Sequence, residues 1–341
     1  MKCKRLAAMF AVACLCLALC ACGGDGDGDG GGGGDIPGVL FMIGNEPVTS
    51  AEYSYYYGIL LTYYYESGTF EYYGVDLDLD LSEQKHPNYD TNWHDFLCYT
   101  VDNELHYTIA LYKEAMANGY VISETGRKEN ADYLVGVLEA SVESGASMDE
   151  YLVEQFGEGM TIDLLTTILE RRAMSSEYGE YLRANFDFTD ADIEKYYEDH
   201  KDNFSQVPDV NTVSYRIIIM SDKQEAQDVL AEFKAGQKTE ASFVALLLDH
   251  SEEGSLPETE GLYTHTSPDN VKESFNVFET WAFDPARKPG DCDLLEMNDL
   301  QLIVYFLSQG EPVWKALSRS YLEDGELQRI QDAYPFSDAP A

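Results

Sequence analysis

Two alternating, β-branched-rich runs constrain this chain most: 213–220 (Val-Ser-Tyr-Arg-Ile-Ile-Ile-Met) and 300–306 (Leu-Gln-Leu-Ile-Val-Tyr-Phe). Alternation with period two is the pattern of strands with a buried face, and two such runs need a common sheet. The residues between them carry helix signals. Ser221 and Gln224 are spaced as a capping box, Ala226, Val229, Leu230 and Phe233 recur at helical spacing, and Gly236 supplies a stop. Phe243, Leu246 and Leu247 mark a second, shorter helix. A polar turn around Gly254 follows, then a short segment at 261–263, an aromatic run holding Phe278, Trp281 and Phe283, and a turn at Pro289-Gly290. A strand, two helices and a returning strand within 213–306 predict a small α+β block.

This order of elements resembles the parvulin family of peptidyl-prolyl isomerases. The matching features are the opening strand, the helix ending at Gly236, and Ser242-Phe243 leading to His250-Ser251-Glu252-Glu253. The helix around 278–283, the Gly290-Asp291 turn and the closing strand match as well. The resemblance implies a domain at 206–310 built on a four-stranded antiparallel sheet. Amide rotation faces a barrier of about 18–20 kcal/mol, and X–Pro bonds isomerise in tens to hundreds of seconds. Parvulins hold the proline in an apolar pocket beside a polar cluster of two histidines and a Cys or Asp, with no metal and no cofactor. At the family positions this chain has Arg216 and Leu302 for the histidines and Glu253 for the Cys or Asp. Phe278, Phe283 and Tyr263 are the expected pocket walls. His250 and His265 stand at other positions, where a histidine is usually a surface or structural residue. The expectation is a retained scaffold with a degenerate polar cluster and weak or lost isomerase activity.

The N-terminus is expected to be a targeting segment. Lys2, Lys4 and Arg5 form a positive region, 6–19 is apolar but short for a membrane span, and Leu19-Cys-Ala-Cys22 resembles a bacterial lipobox. Residues 1–21 are read as a lipoprotein signal peptide and Cys22 as the lipidation site, placing the protein on the extracytoplasmic face of the cell membrane. Residues 22–38 are nearly all Gly and Asp and read as a flexible tether. Asp25, Asp27 and Asp29 imitate half an EF-hand loop, but Ile36 stands where calcium needs a bidentate Glu. Asp76, Asp78 and Asp80 fail the same test, since Pro87 takes the last position. Of seven cysteines, Cys98 and Cys292 remain beyond the signal and the lipobox, too few for a disulfide framework and without zinc-site spacing.

Residues 39–205 read as an α-helical domain behind a short strand at 39–43. Thr49…Glu52, Ser147…Glu150 and Thr189…Asp192 are spaced as capping boxes. Tyr53, Tyr56, Tyr57, Leu60, Leu61 and Tyr64 fall on one helical face, and a second run continues from Trp93 to a stop at Asn118-Gly119. Tyr55, Tyr63, Tyr65, Tyr72 and Tyr73 cannot all share the buried face, so exposed aromatic surface is expected. A helical segment before a parvulin block, with Glu311-Pro-Val-Trp-Lys315 opening a return helix in 311–341, resembles extracytoplasmic foldases of the PrsA and SurA type. That resemblance implies a SurA-like chaperone domain acting on unfolded or newly secreted polypeptides. The net charge of -40, from 62 acidic and 22 basic residues, excludes nucleic acid as a partner. A solute-binding or adhesion lipoprotein is the alternative; solute binding would call for two α/β lobes where the sequence shows one α+β block.

Overall fold

The structure, a computed structural model, describes residues 38–205, 207, 209–252, 259–266, 280–297 and 300–339. Cys22, the tether up to 37, Glu253 and Phe278 lie outside the described residues. The chain divides into two compact units: residues up to Phe186 together with those from Gly325 onward, and Asp187–Asp324. The mostly helical first part and the four-stranded antiparallel sheet of the second make the chain α+β.

In the first unit, β1 (Val39–Ile43) pairs antiparallel with β2 (Glu46–Thr49), and β2 runs directly into α1 (Ser50–Glu66). Thr49 caps α1, its hydroxyl accepting from the Glu52 amide at 3.2 Å. The reciprocal half of the expected box is absent, because the buried Glu52 carboxylate accepts from Arg171 at 3.0 Å instead. The first half of α1 is buried on every side: Tyr53, Tyr55, Tyr56 and Tyr57 are all 5% exposed or less. It packs against β2, α3 (Trp93–Ala117), α5 (Met148–Phe156) and α6 (Ile162–Asn185), so it has no solvent stripe. Tyr55 is therefore core, while Tyr63 and Tyr72, at 64% and 66%, are exposed as expected. Short α2 (Thr69–Tyr73) and α4 (Glu124–Ser144, capped by Ser123) complete the helices. Among the described residues, no helix is long and apolar enough to cross a membrane.

In the second unit, α7 (Asp190–Asp199) opens with the full Thr189–Asp192 capping box. The expected boundary at 205/206 thus falls inside this unit, because Tyr197 packs on Trp314 and Tyr196 on Tyr321. The sheet has the order β4–β3–β6–β5, all antiparallel: β4 (Leu262–Thr266), β3 (Asn211–Met220), β6 (Leu300–Pro312) and β5 (Cys292–Met297). The helices α8 (Lys223–Ala235) and α9 (Glu240–His250) follow β3. Asp222, not Ser221, caps α8 (Oδ1 to the Glu225 amide, 2.8 Å), while Ser221 bonds the Glu252 carboxylate. The last helix, α10 (Val313–Asp332), leads to β7 (Phe336–Asp338), which adds a third strand beside β1.

Candidate functional site

The second unit's sheet sorts its side chains by register. Tyr215 to Met220 pair without a bulge to Phe306 back to Gln301, so alternate residues share a face. One face holds Arg216, Ile218, Met220, Gln301, Ile303 and Tyr305. Helices α8 and α9 cover it: Phe243 stacks on Tyr305 at 5.2 Å and Phe233 meets the same ring edge-on at 5.6 Å. The other face holds Tyr215, Ile217, Ile219, Leu302, Val304 and Phe306. Trp281 packs on Phe306 there, with ring centroids 6.4 Å apart.

Arg216 is 7% exposed and its donors are committed. Nε donates to Glu240 at 2.9 Å and one terminal nitrogen to the Glu260 carbonyl at 2.6 Å. The other terminal nitrogen lies 2.8 Å from the Glu240 carboxylate. The guanidinium joins the first turn of α9 to the segment entering β4, which is a positioning role. Leu302 is 2% exposed and pairs with Ile219 on one side and Leu295 on the other. Register places Arg216 and Leu302 on opposite faces, so they cannot belong to one cluster. Tyr215, not Arg216, shares the face of Leu302. The adjacency escaped the sequence reading because a one-residue difference in strand alignment swaps the face.

Tyr263 sits opposite Tyr215 on edge strand β4, their rings stacked at 5.1 Å, and is 40% exposed. Phe283 is half-buried against the second unit's core. Tyr215, Tyr263 and Leu302 thus lie on one face of the sheet. Among the described residues, Tyr215 and Tyr263 are the hydroxyl-bearing strand residues of that face between 215–219, 262–263 and 302–306. A wall of this kind can hold and desolvate an apolar group; it offers little for proton transfer.

His250 ends α9, with Nδ1 3.7 Å from the Glu225 carboxylate, and lies away from that face. The side chain of His265 lies outside the described ones. Cys292 is half-buried on β5, and burial pushes its thiol up to about 12, far from a reactive thiolate. Cys98, in the first unit, has its thiol 3.7 Å from Nε2 of His94, whose Nδ1 is 3.0 Å from the Tyr57 hydroxyl. Among the described residues, no group of three or more His, Cys, Asp or Glu is placed to hold a metal.

Residues 188–301 match the family described as the PPIC-type PPIase domain. No curated protein matches the chain. Similar solved structures include the peptidylprolyl isomerase PrsA of Bacillus anthracis, at 14% identity over 67% of this chain and 94% of that one. The foldase protein PrsA of Streptococcus pneumoniae is 18% identical over 68% and 77%. A SurA-like chaperone of Campylobacter jejuni is 16% identical over 65% and 88%. All three superpose with a TM-score of 0.26, too low to describe a shared whole-molecule arrangement. Across residues 188–301, about a third of its length, this chain is therefore similar to the PPIC-type PPIase domain family.

Proposed function

We propose that the protein is an extracytoplasmic folding factor whose helical unit holds unfolded polypeptides and whose PPIC-type domain isomerises prolyl bonds weakly or not at all. The reading places Cys22 as the lipid anchor, 22–38 as the tether and 39–205 as the chaperone segment, followed by the parvulin-like block at 206–310 and the return helix and tail at 311–341. The observation that carries the weak-isomerase part is the side chain of Arg216. It is held by Glu240 and Glu260 and lies on the opposite face of the sheet from Leu302, so the two positions matching the family histidines do not form one polar cluster. Removing one preorganised hydrogen-bond donor can cost on the order of 10²–10³ in rate, a figure from another enzyme class. The exposed aromatic residues of the first unit support the holding part, since apolar grip needs no catalytic group.

One preparation of the full chain should be assayed for both properties. Suppression of client aggregation is expected together with prolyl isomerisation far below that of a parvulin with both histidines. Arg216→Ala is expected to leave the isomerisation rate unchanged within about twofold while lowering the stability of the second unit by about 1–3 kcal/mol. Parvulin-like turnover that disappears in a still-folded Arg216→Ala would refute this assignment. Membrane partition of the wild type, lost on Cys22→Ala, tests the anchor.

A further inference from the structure

Outside residues 188–301, the end of α1, helix α2, the loop at 74–92 and the start of α3 bring a series of rings together in the first unit. Tyr72 meets Tyr73 edge-on at 4.8 Å, Tyr73 lies 6.4 Å from His86, and His86 lies 4.9 Å from Tyr89. Tyr89 stacks on Phe96 at 5.2 Å, Phe96 meets Tyr64 at 6.1 Å, and Tyr64 meets Tyr63 at 5.7 Å. Burial and then the phenols of Tyr63, Tyr89 and Tyr73 raise the Tyr64 pKa, so these four hydroxyls are neighbours. Tyr63 and Tyr72 are exposed, and Tyr89 is 58% exposed although one face of its ring lies on Phe96. Exposed rings in mutual contact make a contiguous patch of the kind that marks a binding surface. The loop is tied down. Gln84 Nε2 donates to the Asp76 carbonyl at 2.8 Å, its Oε1 accepts from the Asp76 amide at 2.9 Å, and Asn88 Nδ2 donates to the Tyr73 hydroxyl at 3.1 Å. A surface held in this way loses little freedom when a ligand arrives.

The charge around the patch has one sign. Every Asp, Glu, Lys or Arg between 61 and 95 other than Lys85 is an exposed carboxylate. Lys85 itself is tied to Asp90 in an exposed ion pair at 3.2 Å. Glu71 and Asp90 adjoin Tyr72 and Tyr89 in sequence, and Glu66 lies one helical turn beyond Tyr63. Tyrosine faces attract cations, and arginine stacks on them better than the more strongly hydrated lysine. The chain already uses this pairing internally. Arg287 lies 4.1 Å from the centroid of Trp281, with the Asp284 and Asp291 carboxylates 3.9 and 3.8 Å from its guanidinium. Arg171 lies 5.8 Å from the Tyr112 centroid while pairing with Glu46 and Glu52.

We propose that the tyrosine patch binds extended polypeptide segments in which arginines stand beside apolar residues. The guanidinium groups lie on the exposed tyrosine faces within reach of the flanking carboxylates, and the apolar residues cover the remaining ring surface. This rests on the holding function proposed above and names the class of segment that the first unit holds.

The test is calorimetric binding of three unstructured peptides of equal length and apolar content to the full chain, with Arg, Lys or Gln at the same positions. At about 50 mM salt the Arg peptide should bind at least about tenfold more tightly than the Gln peptide, with Lys between them, and the gap should narrow at about 500 mM. Combining Tyr63→Leu with Tyr89→Leu removes two rings and keeps apolar bulk at exposed positions. It should weaken the Arg peptide by about five- to tenfold and the Gln peptide by less than about twofold. Tyr181→Leu, at an exposed tyrosine of α6 outside the patch, should change neither. Equal binding of Arg and Gln peptides overturns the proposal. So does an Arg preference that survives the double substitution, or one that falls equally in Tyr181→Leu, since either would trace it to the acidity of the chain at large. Displacement of the Arg peptide by a neutral oligosaccharide would make the patch a carbohydrate surface and overturns it as well. Aggregation suppression by the wild type, measured in parallel, separates the two readings. Suppression without an Arg preference sinks this proposal alone, and absence of both sinks the holding function with it.

Discussion

His86 shows how one side chain couples this fold to pH. It is 4% exposed, with its ring 4.2 Å from Trp93 and 4.2 Å from Phe96, and its Nδ1 accepts from the Asn88 amide at 3.2 Å. Burial holds its pKa below the usual 6.5. The unfolded chain therefore takes up the proton first as pH falls. The stability this neutral imidazole allows is complete above pH 6.5 and is lost progressively below it, towards the folded-state pKa. Melting of the first unit between pH 7.5 and 5.5 should show a falling Tm, with a slope that flattens in His86→Phe, which keeps the aromatic packing and removes the proton. An unchanged slope in that variant would exclude His86 as the source. Burial raises the Glu52 pKa despite Arg171, so Glu52 acts in the opposite sense: it favours the folded state below about 4.5 and loses that effect as pH rises through its folded pKa.

At the scale of elements, the turn into β4 is more exacting than its sequence suggests. Gly261 has a φ of +61°, and a Cβ there would lie 2.3 Å from Leu247 Cδ1 and 2.5 Å from the Ile217 carbonyl. The Ile217 amide donates to the Gly261 carbonyl at 3.0 Å, so the backbones approach closely by design of the sheet edge. Gly290 has a φ of +94° but nothing within 4 Å of the same position. Gly261→Ala should cost about 3–5 kcal/mol, combining a strained backbone with overpacking, and Gly290→Ala about 1–2 kcal/mol from the backbone alone. Urea unfolding of the two variants, followed by the fluorescence of Trp281 and Trp314, should give that order. Equal losses would mean that contact, as opposed to φ, contributes nothing at Gly261. The two helices of this unit were legible from Ala226, Val229, Leu230 and Phe233 and from Phe243, Leu246 and Leu247, because local spacing alone makes an apolar stripe. β4 was not legible as a strand, since an edge strand need not show a strong alternating pattern.

At the scale of the whole chain, the C-terminal segment belongs to the first unit. Tyr334 packs over Gly44, the Gly44 amide donates to the Pro335 carbonyl at 2.8 Å, and Phe41 meets Phe336 at 5.5 Å. Nε2 of His106 lies 3.0 Å and 2.9 Å from the carbonyls of Gln331 and Tyr334. Deleting 333–341 should lower the stability of the first unit by about 2–4 kcal/mol, at about 1 kcal/mol for each lost hydrogen bond plus the buried aromatic contact. Hydrogen exchange should report lost protection at Phe41–Ile43 and unchanged protection in β3 and β6. Full protection at Phe41 after truncation would show that β7 is dispensable.

By itself the sequence determined what depends on near neighbours. Ser147 and Thr189 cap their helices with full boxes, Gly236 ends α8, and the alternating runs at 213–220 and 300–306 lie within adjacent antiparallel strands. These follow from spacings of two to four residues, which sequence displays directly. Tertiary structure alone decided where partners come from far along the chain. It diverted Glu52 from its cap to Arg171, enclosed Tyr55 in the half of α1 that is buried on every side, and brought β7 beside β1. It also put Arg216 and Leu302 on opposite faces, because strand register is set by the packing of the whole sheet, and a shift of one residue exchanges its two faces.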